Sequence, residues 1–291
     1  MCAPTCFASA AAERREPVPD AVELAEAVSV AREAAQQAAS VLLAAWPGTG
    51  RAEALRKHPR DLVTDADRES ERRILEVLAR AFPDHAVVAE ESGDRPSGGS
   101  LRWIVDPLDG TANYVHGFPM FAVSIALYDG GIPLAGVVLD PVRSEWFTAR
   151  AGEGAWLDRG DPGTAARLRV TDGGDPEEGP LLATGFPFKH RAQIERYVAA
   201  FGQLFPRSSD MRRAGSAALD LAYVAAGRVD GFWEMALNPW DIAAGEILVL
   251  EAGGLVSDWR GGEGHRETGW IVAGGPATHE LLTSVLAKHA A

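Results

Sequence analysis

Two carboxylates three residues apart close an apolar run, Trp103-Ile104-Val105-Asp106-Pro107-Leu108-Asp109-Gly110-Thr111. Proline disfavours the helical region for the residue before it, so the run reads as a strand that stops at Asp106-Pro107. Asp-Gly-Thr then reads as a turn into a helix start, whose free N–H groups attract anions. One short segment thus offers hard-cation ligands and a phosphate cradle together. Two carboxylates about 4 Å apart repel by about 4 kcal/mol at an effective dielectric of about 20, and a divalent cation removes that repulsion. The competing reading is a pair of ordinary turn aspartates.

Other acids stand in comparable places. Ala89-Glu90-Glu91-Ser92-Gly93 follows a short apolar run, though either glutamate could be a solvated loop acid. Asn238-Pro239-Trp240-Asp241 opens an Ala-rich helix, where an acid also serves as a capping or dipole residue. Thr64-x-x-Asp67 has the spacing of a capping box, with Asp in place of the usual Glu or Gln.

These segments need elements to position them. Asp20–Trp46 reads as one Ala-rich helix stopped by Pro47-Gly48, residues 49–60 as a polar loop, and the stretch after Thr64 as a second helix ending at Pro83. Ala86–Ala89 and Arg102–Val105 read as strands, with a Gly/Ser/Pro loop over 92–100. Phe121–Tyr128 and Ile132–Leu139 form a hairpin across Asp129-Gly130-Gly131, and Glu145–Ala149 and Ala155–Leu157 add strands. Residues 158–180, rich in Gly, Pro and Asp, suit a junction. Beyond it strands at 181–184, 229–234, 255–257 and 270–273 alternate with helices at 194–205, 216–226, 240–252 and from Pro276 onward. Such a pattern suggests layered helices and sheets.

The 291 residues are 46% hydrophobic and 24% charged, a globular composition. Against 41 acidic residues stand 28 basic ones, a net charge of −13. That balance argues against sequence-blind nucleic-acid binding, which needs clustered Lys and Arg. The only cysteines, Cys2 and Cys6, provide neither a disulfide framework nor a four-ligand zinc site. No targeting segment and no membrane span is legible, so a cytoplasmic location is expected.

The ordered blocks from Asp61 to Gly254 resemble the inositol monophosphatase family of magnesium-dependent, lithium-sensitive sugar phosphatases. They are Asp61-Leu-Val-Thr-x-x-Asp67, Ala89-Glu-Glu-Ser-Gly93, Trp103-x-x-Asp-Pro-x-Asp-Gly-Thr111, Gly215-Ser-Ala-Ala-Leu-Asp-Leu221, Asp230-Gly-Phe-Trp-Glu234 and Trp240-Asp-x-Ala-Ala-Gly245. The resemblance implies an α+β fold, a five-layer αβαβα sandwich. A leader over 1–18 would precede an N-terminal half over 19–158 with the metal motifs. A C-terminal half over 159–291 would carry the substrate segments, and the whole would form one catalytic unit. By the same resemblance Glu90, Asp106 and the Leu108 carbonyl would hold one Mg²⁺, and Asp106, Asp109 and Asp241 a second. A third, weaker ion could share Glu90 through waters. All-oxygen ligation suits Mg²⁺, so His116 is expected to play a structural hydrogen-bonding role. Thr111, polarised by Asp67, would help deprotonate the attacking water, with Glu90 as a second candidate. Asp109, Gly110, Thr111, Ala217, Glu234 and Asp241 would bind the substrate. Arg212 and Arg213 read as surface charges or subunit contacts, with a contact to the substrate as the alternative.

The implied activity is direct, in-line hydrolysis of a phosphate monoester of a small polyol, with myo-inositol 1-phosphate first. Histidinol phosphate, fructose 1,6-bisphosphate and a 3′-phosphoadenosine nucleotide are alternatives on the same fold. A reading of another class is a regulatory protein that contacts RNA or the transcription machinery. A homodimer is the implied assembly.

Overall fold

The computed structural model describes residues 21–290 except 49, 51, 59, 60, 161, 162 and 174–176. The expected leader over 1–18, with Cys2 and Cys6, lies outside the described residues.

Helix α1 (Ala21–Ala45) runs as one element, with Ala27, Ala31, Ala34, Ala35, Ala38 and Leu42 buried along one stripe. The loop expected over 49–60 instead contributes β1 (Leu55–His58), paired antiparallel with β2 (Asp61–Val63). A short ribbon is held by backbone bonds, which leave no hydropathy signal. Helix α2 (Asp65–Ala81) starts at Thr64, then β3 (Ala86–Ala89) and β4 (Gly93–Arg95) form a tight hairpin. Strand β4 replaces part of the loop expected over 92–100.

Strand β5 (Leu101–Asp109) leads into the five-residue helix α3 (Thr111–Val115). The hairpin follows as β6 (Ala122–Asp129) and β7 (Ile132–Asp140), then β8 (Glu145–Arg150), β9 (Gly154–Asp158) and β10 (Ala166–Arg167). The chain continues through β11 (Leu181–Thr184), α4 (Ile194–Leu204), β12 (Asp210–Arg212), α5 (Ala217–Ala225), β13 (Gly231–Glu234) and α6 (Pro239–Glu251). It closes with β14 (Leu255–Ser257), α7 (His265–Thr268), β15 (Ile271–Gly274) and α8 (Pro276–Leu286).

Besides the β1–β2 ribbon, the described residues form two sheets, in the orders β10-β9-β8-β7-β6-β5-β3-β4 and β12-β11-β13-β15-β14. Strand periodicity sorts the cores. In β6, Val123, Ile125 and Leu127 join the core with α1 and α2, whereas Ala122, Ala126 and Tyr128 join the core with α5 and α6. In the smaller sheet Ala183, Phe232, Ile271 and Ala273 face that same α5–α6 core, while Leu182, Trp233 and Val272 face α4 and α8. The layers are therefore α1/α2, eight strands, α5/α6, five strands, α4/α8: the αβαβα sandwich. A strand covered on both faces needs no alternation, which is why all of β6 is buried and apolar but for Ser124 and Asp129. No helix among the described residues is long and apolar enough to cross a membrane.

Candidate active site

The sequence places the end of a strand at Asp106, but β5 continues to Asp109 through an irregularity. Asp106 pairs with Ser124 and Asp109 with Ala122, so three steps on β5 match two on β6. The extra residue is a β-bulge, where a proline is tolerated. It also changes parity. Ile104 faces the α5–α6 core and Val105 and Leu108 the α1–α2 core. Asp106 follows Ile104, and the added residue turns Asp109 to the same side. A spacing of three thereby behaves like a spacing of two, and both carboxylates face the middle helices. The Asp106 Oδ1 accepts the Leu108 N–H at 2.9 Å, closing the turn across Pro107.

Helices α5 and α6 complete the cluster. Ser216, which caps α5, donates its hydroxyl to Asp109 Oδ2 at 2.6 Å, and the Ala218 N–H reaches the same oxygen at 2.8 Å. Asp241 stands in the first turn of α6 after Pro239, and its Oδ2 accepts the Asn238 N–H at 2.6 Å. Gly245 lets α6 approach α5, since a Cβ there would lie 2.5 Å from Leu221. Asp106, Asp109 and Asp241 thus each offer a carboxylate oxygen within 4.8 Å of the others.

Thr111 follows Gly110, whose φ of +95° starts α3. The Thr111 hydroxyl lies 3.3 Å from Asp67 Oδ1 and 3.2 Å from the Leu108 carbonyl. Asp67 Oδ2 accepts the Thr64 N–H at 2.8 Å. One carboxylate oxygen of Asp67 thus caps α2 and the other meets the Thr111 hydroxyl. Asp65, by contrast, is exposed and faces Arg68.

A cleft of about 390 Å³ opens over this cluster, and Glu90, Leu108, Gly110, Thr111, Ala217 and Glu234 also line it. All of the expected site residues except Asp67 line this cleft, and Asp67 touches it through Thr111. The rest of the lining is legible in the sequence only at Arg213, for which a substrate contact is one reading. It carries Phe186, Phe188, Lys189 and Arg213. The Arg213 guanidinium sits 5.4 Å and 5.3 Å from the ring centres of Phe186 and Phe188. Arg213 is a cleft residue as well as an exposed charge, while Arg212 turns away to pair with Asp210. His116 is exposed, and its backbone N–H closes α3.

Electrostatically the cleft floor is over-supplied with negative charge. Burial, then the charges of Glu90, Asp109 and Asp241, push the Asp106 carboxyl well above the usual range. Burial and the charge of Asp241 raise Asp109 to about 7, against the hydrogen bonds of Ser216 and Ala218 and the charge of Lys189. Burial also raises Asp241, against its backbone bond to Asn238 and the charge of Lys189. Burial raises Glu234 well above the usual range, opposed by Arg213. Convergent carboxylates that resist ionisation on their own suit a hard divalent cation, and an all-oxygen set suits Mg²⁺ above softer metals.

Fold and cluster together define a layered α+β protein with an acidic, metal-competent centre where the bulged β5 meets the starts of α5 and α6. The chain belongs to the inositol monophosphatase family, whose profile matches residues 23–291. It is 46% identical over 250 residues to Nus factor SuhB of Salmonella typhimurium, covering 86% of this chain and 91% of that one. Among solved structures, it resembles the extragenic suppressor protein suhB from Bartonella henselae at a TM-score of 0.83 and 39% identity, over 90% of this chain and 99% of that one. It also resembles the inositol monophosphatase from Anabaena (Nostoc), at a TM-score of 0.79 and 39% identity, over 91% and 96% of the two chains.

Proposed function

We propose that the chain is a Mg²⁺-dependent phosphomonoesterase acting on a small polyol phosphate, with myo-inositol 1-phosphate as the first candidate. The observation that carries this reading is the convergence of the Asp106, Asp109 and Asp241 oxygens within 4.8 Å, in a cleft that also holds Glu90, Thr111 and Glu234. Glu90, Asp106 and the Leu108 carbonyl would hold one ion, and Asp106, Asp109 and Asp241 another. Bound Mg²⁺ supplies phosphate neutralisation, a water of lowered pKa and stabilisation of the leaving oxygen.

The chain's own residues do the rest. Thr111 Oγ1 would pass its own proton to Asp67 Oδ1 as it takes one from the attacking water, so that the proton ends on the Asp67 carboxylate. Glu90 is a second acceptor for that proton. The Gly110 and Thr111 N–H groups bind phosphate oxygens. Glu234 and the Ala217 backbone bind polyol hydroxyls, a carboxylate being suited to paired hydroxyl donors. Cytoplasmic location and a homodimer complete the reading.

A substrate panel with Mg²⁺ titration tests it. Myo-inositol 1-phosphate should show the highest kcat/KM, with lithium inhibiting. Histidinol phosphate, fructose 1,6-bisphosphate or a 3′-phosphoadenosine nucleotide turned over far faster would overturn the polyol assignment. Failure of every ester in Mg²⁺ would overturn the phosphatase.

The name Nus factor carried by the SuhB relative favours a second reading, a regulatory role alongside or instead of hydrolysis. The net charge of −13 favours protein over RNA as the direct contact. Asp106→Asn separates the two: loss of turnover with an unchanged cellular phenotype supports regulation.

A further inference from the structure

Helix α2 turns one buried polar stripe toward the site. Asp67, Ser70 and Glu71 are three and four residues apart, hence on one helix face. Their exposures are 1%, 0% and 3%. Each is bonded to a different segment of the cleft floor. Asp67 Oδ1 faces the Thr111 hydroxyl at 3.3 Å. Ser70 Oγ donates to the Pro107 carbonyl at 2.9 Å. Glu71 Oε2 accepts the Glu91 N–H at 2.7 Å.

The last two bonds fall beside the candidate ligands. Pro107 is the bulged residue between Asp106 and Leu108, and a bulge disrupts the local ladder, so its carbonyl takes its partner from α2. Glu90 donates its own N–H to the Val105 carbonyl at 3.2 Å, and the next N–H along goes to Glu71. The Glu90 turn is therefore pinned to β5 on one side and to α2 on the other. Buried polar side chains persist in a core where they are satisfied, and both of these meet backbone groups that flank the acids. One ligand acid stands on the turn and the other on the bulge, and α2 holds both segments from behind through these two bonds.

We propose that Ser70 and Glu71 are positioning residues, through which α2 fixes the Glu90 turn and the Asp106–Leu108 bulge at cation-binding separation before an ion arrives. This rests on the metal site of the proposed function. Groups that orient ligands from behind change metal affinity by about 10–100-fold when removed.

The test is Mg²⁺ binding by isothermal titration calorimetry on the full chain, with circular dichroism melts in EDTA to verify folding. Glu71→Ala should raise the Mg²⁺ Kd about tenfold or more and shift half-maximal turnover to correspondingly higher Mg²⁺. The substrate KM at saturating Mg²⁺ should stay unchanged. Glu71→Gln keeps an oxygen that accepts the Glu91 N–H, and should restore affinity to near the wild-type value. An unchanged Kd in Glu71→Ala, or equal damage in Glu71→Gln, overturns the proposal. Should Glu71→Ala not fold, Ser70→Ala decides: a weakened Kd supports the proposal and a wild-type Kd overturns it. Wild-type protein that binds no Mg²⁺ overturns the functional reading as well, whereas wild-type binding with insensitive variants overturns the positioning role alone.

Discussion

Asp109→Asn is expected to stabilise the metal-free protein above neutral pH while weakening its response to Mg²⁺. Asp109 is buried, and its carboxyl is raised from 3.8 to about 7 by that burial and by the charge of Asp241. The folded state therefore holds this proton more tightly than the unfolded state does. Its penalty is absent below the unfolded value, grows through the window from about 4 to 7, and is complete above it. About three units correspond to about 4 kcal/mol at pH 8. The charge of Asp241 is part of that shift, since two charges within 4.8 Å of each other repel by about 3.5 kcal/mol or more at an effective dielectric of about 20. Asparagine retains an oxygen for the Ser216 and Ala218 donors, so little is lost in exchange. In urea melts with EDTA at pH 8 the variant should be more stable by about 2–4 kcal/mol, shrinking to about 1 kcal/mol near pH 4.5. Millimolar Mg²⁺ should then stabilise the wild type more than the variant, which has lost one ligand of one of the two sites. A variant less stable than wild type at pH 8 in EDTA, or a difference that ignores pH, would refute the reasoning.

Glu246, on α6 beyond Asp241, is buried with Tyr128 and Arg266, and His265 Nε2 lies 3.2 Å from its Oε1. Burial raises its carboxyl, but His265 and Arg266 outweigh burial and hold it at about 2. The folded value is depressed, so this stability is present above about pH 4.5 and lost as pH falls toward 2. Glu246→Gln should cost about 3 kcal/mol at pH 7, with the difference closing by pH 2 in acid-unfolding curves. A gap that persists to pH 2 would contradict it. Gly110→Ala should cost about 1–3 kcal/mol and most of the turnover. Its φ is +95° and a Cβ would lie 2.9 Å from the Met120 carbonyl, with other backbone atoms beside it. Wild-type melting and activity in that variant would show that the turn is not constrained.

The fold's layers were partly legible because period-2 and period-3.6 burial leave a hydropathy trace. The hairpin of β6 and β7 and helices such as α5 and α6 announce themselves in this way. The order of the layers came from the family resemblance, since pairing between distant strands leaves no local mark. Asp106 and Asp109 were visible as acids, but their shared orientation depends on the bulge at Pro107, and a spacing of three in a regular strand would have separated them. Ser216 was hidden for a related reason: a Ser before a helix signals a cap, and nothing in its neighbours shows that its hydroxyl reaches back 107 residues to Asp109. Ser70 and Glu71 fall on a polar stretch of α2, and they are buried where the Pro107 bulge and the Glu91 turn meet that helix. Phe186 and Phe188 share one segment and Arg213 comes from another, and they meet on the same side of the cleft, so no contiguous motif marks them.

The central claim is that the carboxylates of Asp106, Asp109 and Asp241, with Glu90 and the Leu108 carbonyl, hold divalent cations. Anomalous diffraction from crystals of the full chain grown with Mn²⁺ in place of Mg²⁺ tests it most directly. Strong peaks should appear in contact with those oxygens, at roughly 2.0–2.3 Å, and the Asp109→Asn variant should lose at least one of them. Peaks only elsewhere on the chain, or none within reach of Asp106, would contradict it.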